Sequence, residues 1–198
     1  MDNDIIFSGA AVSFKRIVPR LSSVVNGNTY KVHEEVSGLT VVVFNKISVK
    51  PVSIKLEGRY GENISDVLSI SGFAVKEVLD TLTGEQSYTP LRNITVWGET
   101  SVKLKNFELG IFGGVLKNLG TKEKMSDAGN PVYGLATNID VLYRLSPRIL
   151  YFQDHTKIGC ELEYTNADYG ANFDTEHQPA NTTNVANLRV LLSIYYVF

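Results

Sequence analysis

The C-terminal stretch 187-NLRVLLSIYYVF-198 decides the fold. Leu188, Val190, Leu192, Ile194, Tyr196 and Phe198 fall at every second position, and Asn187, Arg189, Leu191, Ser193, Tyr195 and Val197 lie between them. A repeat of two places the first set on one face of an extended strand, whereas a helix would mix the two sets. The apolar face runs unbroken to an aromatic terminal residue.

The same period recurs upstream. Ala10, Val12 and Phe14 share a face, as do Leu39, Val41, Val43, Ile47 and Val49, and, beyond the Lys50-Pro51 corner, Val52, Ile54, Leu56 and Tyr60. Ile94 to Leu104 alternates likewise, turns at Lys105-Asn106 and resumes from Phe107 to Val115. Tyr133 to Tyr151 reads as one further strand, and Ile158 to Tyr164 as another after the corner near Asp154-His155. With the C-terminal segment these make eight strands. Between them lie four longer polar segments, Asn26 to Ser37, Asn63 to Thr89, Thr121 to Asn130 and Asp168 to Thr183. Short turns at one rim and long loops at the other are the pattern of a bacterial outer-membrane barrel. The first and last strands end at the short-turn rim, which implies termini in the periplasm.

Composition bounds the alternatives. The 198 residues carry 19 Lys+Arg against 21 Asp+Glu, a formal net charge of −2, and 43% of them are hydrophobic. That suits one domain spanning residues 1–198 and excludes a disordered tail. A near-neutral balance without basic runs argues against nucleic acid. A lone cysteine, Cys160, excludes an internal disulfide or Cys-based zinc site. No stretch approaches the roughly 18 consecutive apolar residues of a membrane helix, and Met1-Asp2-Asn3-Asp4 lacks a basic signal-peptide start. These numbers alone describe a soluble domain; the order of the residues does not. A soluble sandwich also alternates, but its outer face is usually rich in charge. Here the polar face mixes Gly, Ser, Asn and single charges of both signs, and aromatics such as Tyr143, Tyr151, Tyr164 and Tyr195 gather near strand ends, as in an interfacial girdle. Backbone in hydrocarbon must be satisfied internally, and without a membrane helix that requires a closed barrel.

The expected fold is therefore all-β, an antiparallel transmembrane β-barrel. Its lumen-lining candidates are Lys55, Glu57, Arg59, Glu99, Lys103, Glu108, Arg144, Glu161, Glu163 and Arg189. No enzyme is expected. His33, His155 and His177 lack ligand spacing, so no metal or cofactor is implied. Glu161 and Glu163 lie about 7 Å apart along one strand; that spacing could serve a glycosidase, but counter-charges for Arg144, Arg189 or Lys103 explain them better. Cys160 reads as a small lipid-facing hydrophobe. Gly110, Gly113 and Gly114 sit within a strand, where they permit bending or close approach rather than phosphate binding. The segment 64-ISDVLSISGFAVKEVLDTL-82 is too apolar for a freely solvated loop, and either folds into a pore or covers a neighbouring subunit.

Several stretches resemble the porin-like outer-membrane barrels of the Bacteroidetes, loosely grouped as DcaP-like or trimeric porin-like proteins: 189-RVLLSIYYVF-198, 112-FGGVLKNLGT-121, 133-YGLATNIDVLYRLSPRILYF-152, 55-KLEGRYGENISDVLSISGFAV-75 and 159-GCELEYTNADYG-170. The likeness is to the C-terminal half of that family and covers nearly the whole chain. It implies an outer-membrane location in a Gram-negative bacterium and passive diffusion of small polar solutes with no chemical step. The implied partners are the lipid bilayer, a homotrimeric assembly, and the barrel-assembly machinery, which would read Leu192, Ile194, Tyr196 and Phe198. Family members are about twice as long and begin with a signal peptide, which this chain lacks. Two other readings stand beside it: a closed eight-stranded outer-membrane barrel with a structural or adhesive role, and a soluble β-barrel holding an apolar ligand. Eight strands enclose an interior just filled by side chains, whereas 16–18 leave a channel. Five long cations (Lys55, Arg59, Lys103, Arg144 and Arg189) with Trp97 and Phe112 overfill the small interior. The expectation is thus the C-terminal part of a larger barrel, with the Ala10–Phe14 strand unpaired on one side.

Overall fold

The computed structural model describes residues 4–67, 69–196 and 198; the Met1–Asn3 start, Leu68 of the apolar segment 64–82 and Val197, placed above by alternation, lie outside the described residues. The chain is all-β. Its strands are β1 (Ile5–Ile17), β2 (Ser22–Val25), β3 (Asn28–Lys31), β4 (Val36–Val49), β5 (Val52–Glu62), β6 (Ser71–Asp80), β7 (Glu85–Leu104), β8 (Phe107–Thr121), β9 (Val132–Leu135), β10 (Ile139–Gln153), β11 (Thr156–Phe173) and β12 (Pro179–Tyr196). The eight long strands form one antiparallel sheet in the order β1-β4-β5-β7-β8-β10-β11-β12. Tight corners at Lys50-Pro51, Lys105-Asn106 and Asp154-His155 join neighbours at one end, and the wider connections are at the other.

The sheet does not close on itself. Among the described residues β1 pairs only with β4, β12 pairs only with β11, and no ladder joins β1 to β12. The eight-stranded closed barrel is therefore not formed.

The four polar segments hold more structure than their composition suggested. Asn26 and Gly27, with φ of 52° and 80°, make the tight turn of the β2–β3 hairpin. Within Asn63 to Thr89 lie a single 3-10 turn (Ser65–Val67), β6 and the first residues of β7, which starts at Glu85 rather than near Ile94. β6 pairs with that extension and with β9. Tyr133 belongs to β9, separate from β10, and the β11–β12 ladder continues to Phe173↔Pro179 through the expected loop. The reason is local burial: Ala74, Leu91 and Met125 are at most 3% exposed and pack with Val132 into a small core at the wide-loop end. Apolar residues that a free loop would expose are covered there.

Along the long strands the two faces differ sharply. On one face Ala10, Val43, Gly58, Val96, Val115 and Tyr143 lie side by side across β1, β4, β5, β7, β8 and β10. This face is exposed on every strand: Val12 is 70% accessible, Val96 50%, Leu145 47% and Leu192 77%. Cys160 lies on it and is exposed. Towards the short-turn end it carries Phe107 and Tyr151, whose rings are 5.0 Å apart; towards the other end, Tyr143 and Tyr164 are 6.1 Å apart. The opposite face carries the polar row Phe7, Lys46, Lys55, Glu99, Phe112 and Ser146.

Candidate functional site: the charged face of the sheet

All ten lumen candidates project from the same face, because a sheet register that pairs Lys55 with Glu99, Lys103 with Glu108 and Glu163 with Arg189 keeps their alternation in phase. Two ion clusters form on it. Lys55 Nζ donates to Glu99 Oε1 at 2.8 Å, and Arg148 Nη1 donates to Glu99 Oε2 at 2.7 Å while Arg148 Nη2 lies 3.6 Å from Glu108. Arg189 Nη2 donates to Glu163 Oε2 at 2.8 Å; Arg144 Nη1 is 3.3 Å from the same oxygen, and its Nε donates to Thr165 at 3.2 Å. Arg148 reaches from β10 across β8 to β7 because position 110 is glycine. A Cβ there would come within 3.0 Å of Arg148 Nε. Trp97 and Phe112 stack at 5.8 Å beside the clusters, and Lys103 caps the Phe152 ring at 5.2 Å. Glu57 and Glu161 have no ion-pair partner among the described residues.

The segment after β5 lies on this same face. Asn63, with φ of 50°, turns the chain back so that Ile64 covers Gly61. Asp66 accepts from Lys15 Nζ on β1 at 2.6 Å, Ser69 Oγ accepts from Arg59 Nη2 at 3.2 Å, and the Ile70 carbonyl accepts from Asn93 Nδ2 at 2.5 Å. The described residues 64–67 and 69–71 thus form a strap held to the polar face of β1, β5 and β7. The rest of the segment continues into β6, which pairs with β7 and β9.

At the wide-loop end, buried carboxylates tie the connections to the sheet. The Glu34 side chain is fully buried. It accepts from Arg20 Nε and Nη2 at 2.6 Å each, from the Gln86 N–H at 2.7 Å and from Tyr88 Oη at 3.0 Å. Burial pushes this carboxyl up, but the hydrogen bonds from Arg20, Gln86 and Tyr88 outweigh it and hold it below the usual carboxylate range. Burial, with the carboxylate as neighbour, pushes the Tyr88 phenol up to about 12. Ser23 Oγ donates to the Thr83 carbonyl, completing a clasp between the β2–β3 hairpin and the β6–β7 turn. Glu62 likewise accepts from Tyr60 Oη and Lys122 Nζ. At the β11–β12 tip the His177 ring stacks on Phe173 at 4.2 Å with Nε2 3.1 Å from the Thr137 carbonyl, and burial holds the imidazole below its ordinary range.

The arrangement offers paired charges, hydroxyls and aromatic faces along one face of the sheet. Glu163 meets Arg144 and Arg189, as the counter-charge reading anticipated, whereas Glu161 and Lys103 do not join that pairing. The three histidines lie apart in a connection, a corner and a tip. Among the described residues no group of three or more metal-ligating side chains converges. Leu192, Ile194 and Tyr196 stand on the exposed apolar face of β12, followed by an exposed Phe198. Sequence reading missed Arg148, the side chain that links β7, β8 and β10. Its signal was present: it lies four residues beyond Arg144 on the same face, opposite Glu161. It also missed the Lys15–Asp66 latch, which joins β1 to the 3-10 turn after β5 and leaves no periodic trace. No protein-family model, curated protein or solved structure matches the chain.

Proposed function

We propose that this chain is a wall of a pore-forming outer-membrane β-barrel, with the exposed apolar face against lipid and the ion-paired face lining an aqueous lumen. Small polar solutes pass by diffusion and no chemical step occurs. One observation carries the reading: the eight long strands of one antiparallel sheet each expose large aliphatic side chains on one face while their charges gather on the other. In water so broad an apolar patch is a liability; in a bilayer it is the required exterior. On β8 the apolar run from Phe107 ends at Lys117, which pairs with Asp140 at 2.5 Å. Ten residues at about 3.3 Å span ~33 Å, or roughly 25 Å in height for a strand tilted about 40°.

The free edges of β1 and β12 fit the same reading. Unpaired N–H and C=O groups in hydrocarbon cost several kcal/mol each, so further antiparallel strands complete the wall. A circumference beyond eight strands leaves room for the long cations and for the strap after β5. That favours the wider pore over the small closed barrel, whose interior side chains fill. Planar-bilayer recording on the purified protein tests it. Steady single-channel currents with weak charge selectivity are expected; a protein that inserts and never conducts, or stays dispersed without detergent, refutes the pore.

A further inference from the structure

The polar face contains a recess of about 230 Å³ bordered by Phe112 of β8, Arg144, Ser146 and Arg148 of β10, and Glu161 and Glu163 of β11. Ser146 is 3% exposed, it borders the recess, and its hydroxyl has no hydrogen-bond partner among the described residues. A buried hydroxyl left without a partner costs free energy that a ligand group can recover. The charges around it are unequally satisfied. Glu99 is held by Lys55 and Arg148, and Glu163 by Arg144 and Arg189. Glu161 has no cationic partner among the described residues, although it too borders the recess. Arg144 spends Nη1 on Glu163 and Nε on Thr165, and its Nη2 meets no acceptor among the described residues. The recess therefore presents one uncompensated carboxylate, one hydroxyl and one spare guanidinium edge, backed by an aromatic ring.

We propose that this recess is a solute-binding subsite for small zwitterions, free amino acids in particular. The ammonium group sits on Glu161, the carboxylate takes the Arg144 Nη2 donors and the Ser146 hydroxyl, and a short apolar side chain rests on Phe112. A bare amine would leave Arg144 and Ser146 unanswered, and a bare carboxylate would leave Glu161 unanswered. Charge-assisted bonds at both ends give the zwitterion its advantage. The subsite rests on the pore reading for its access from water, yet it is testable without conduction.

The test is calorimetric titration of the protein in lipid nanodiscs with L-alanine, propionate and ethylamine at neutral pH, beside planar-bilayer recording. L-alanine is expected to bind at least about 10-fold more tightly than either half-molecule. Glu161→Gln should weaken alanine binding by about 10-fold, and Ser146→Ala by about 3-fold, with unchanged circular dichroism. Alanine binding no tighter than propionate or ethylamine, or insensitive to Glu161→Gln, overturns the subsite. Conduction with no alanine binding refutes the subsite alone; alanine binding without conduction refutes the pore alone.

Discussion

Replacing Ile111 by arginine separates a lipid-facing sheet from a water-facing one. Ile111 lies in β8, flanked on both sides by β7 and β10, so neither free edge of the sheet is disturbed. Its side chain belongs to the apolar face and is 48% exposed. It stands near the middle of the run from Phe107 to Lys117, close to the depth a bilayer midplane would occupy. Arginine on the lipid face of a barrel costs about 2–4 kcal/mol at the midplane and about 0–1 kcal/mol near the interfaces. At 1.4 kcal/mol per decade, Ile111→Arg should shift the folding equilibrium by about 30- to 700-fold. Phe107→Arg, at the aromatic rim, should cost under about 1 kcal/mol. The single tryptophan, Trp97, reports both transitions by its fluorescence during denaturant unfolding from phospholipid vesicles. On a surface facing water, either substitution would change stability by about 0.5 kcal/mol or less. Equal, small effects at Ile111 and Phe107 would refute the lipid-facing assignment.

Other consequences follow from particular contacts. Gly110→Ala puts a methyl group against Arg148 and should pull its guanidinium off Glu99; the reversal potential in a salt gradient is then expected to move in the same direction as for Arg148→Gln, and no movement would show that Arg148 does not set the lumen field. Asp66→Asn removes the Lys15 latch of the strap, an exposed pair worth under about 1 kcal/mol, so single-channel conductance should rise while unfolding changes little. The Glu34 clasp has a definite pH sign. Its folded carboxyl titrates below the unfolded value, so its stabilisation is fully present above about pH 4.3 and is lost as pH falls through the folded value. Amide exchange at Gln86 checks it: protection should hold at neutral pH and fall selectively on acidification, and protection unchanged well below pH 4 would contradict the assignment.

The long strands were legible because one face of each is apolar over many residues, and a period of two survives whatever the tertiary context. The same alternation placed all ten lumen candidates on one face. What escaped were elements whose burial is local. Phe73, Ala74 and Val75 in β6 are covered by Leu91, Met125 and β9, contacts far apart in sequence that leave no repeat. The β2–β3 hairpin could have been found from its Asn26-Gly27 dipeptide, which favours the tight turns that join paired strands. Closure lay beyond sequence reading because edge pairing depends on sheet curvature, which no single strand encodes. The bridge by Arg148 needed the knowledge that Gly110 lies beneath its path.

The most direct measurement is a cysteine scan along β8 in phospholipid vesicles, in a Cys160→Ser background, with a water-soluble maleimide and with quenching of an attached fluorophore by brominated lipid. Positions 108, 110, 112 and 114 are expected to react from water and resist quenching, while 109, 111, 113 and 115 resist the maleimide and are quenched. Reaction at both sets alike, or quenching at neither, would contradict a sheet with one face in lipid and the other lining a lumen.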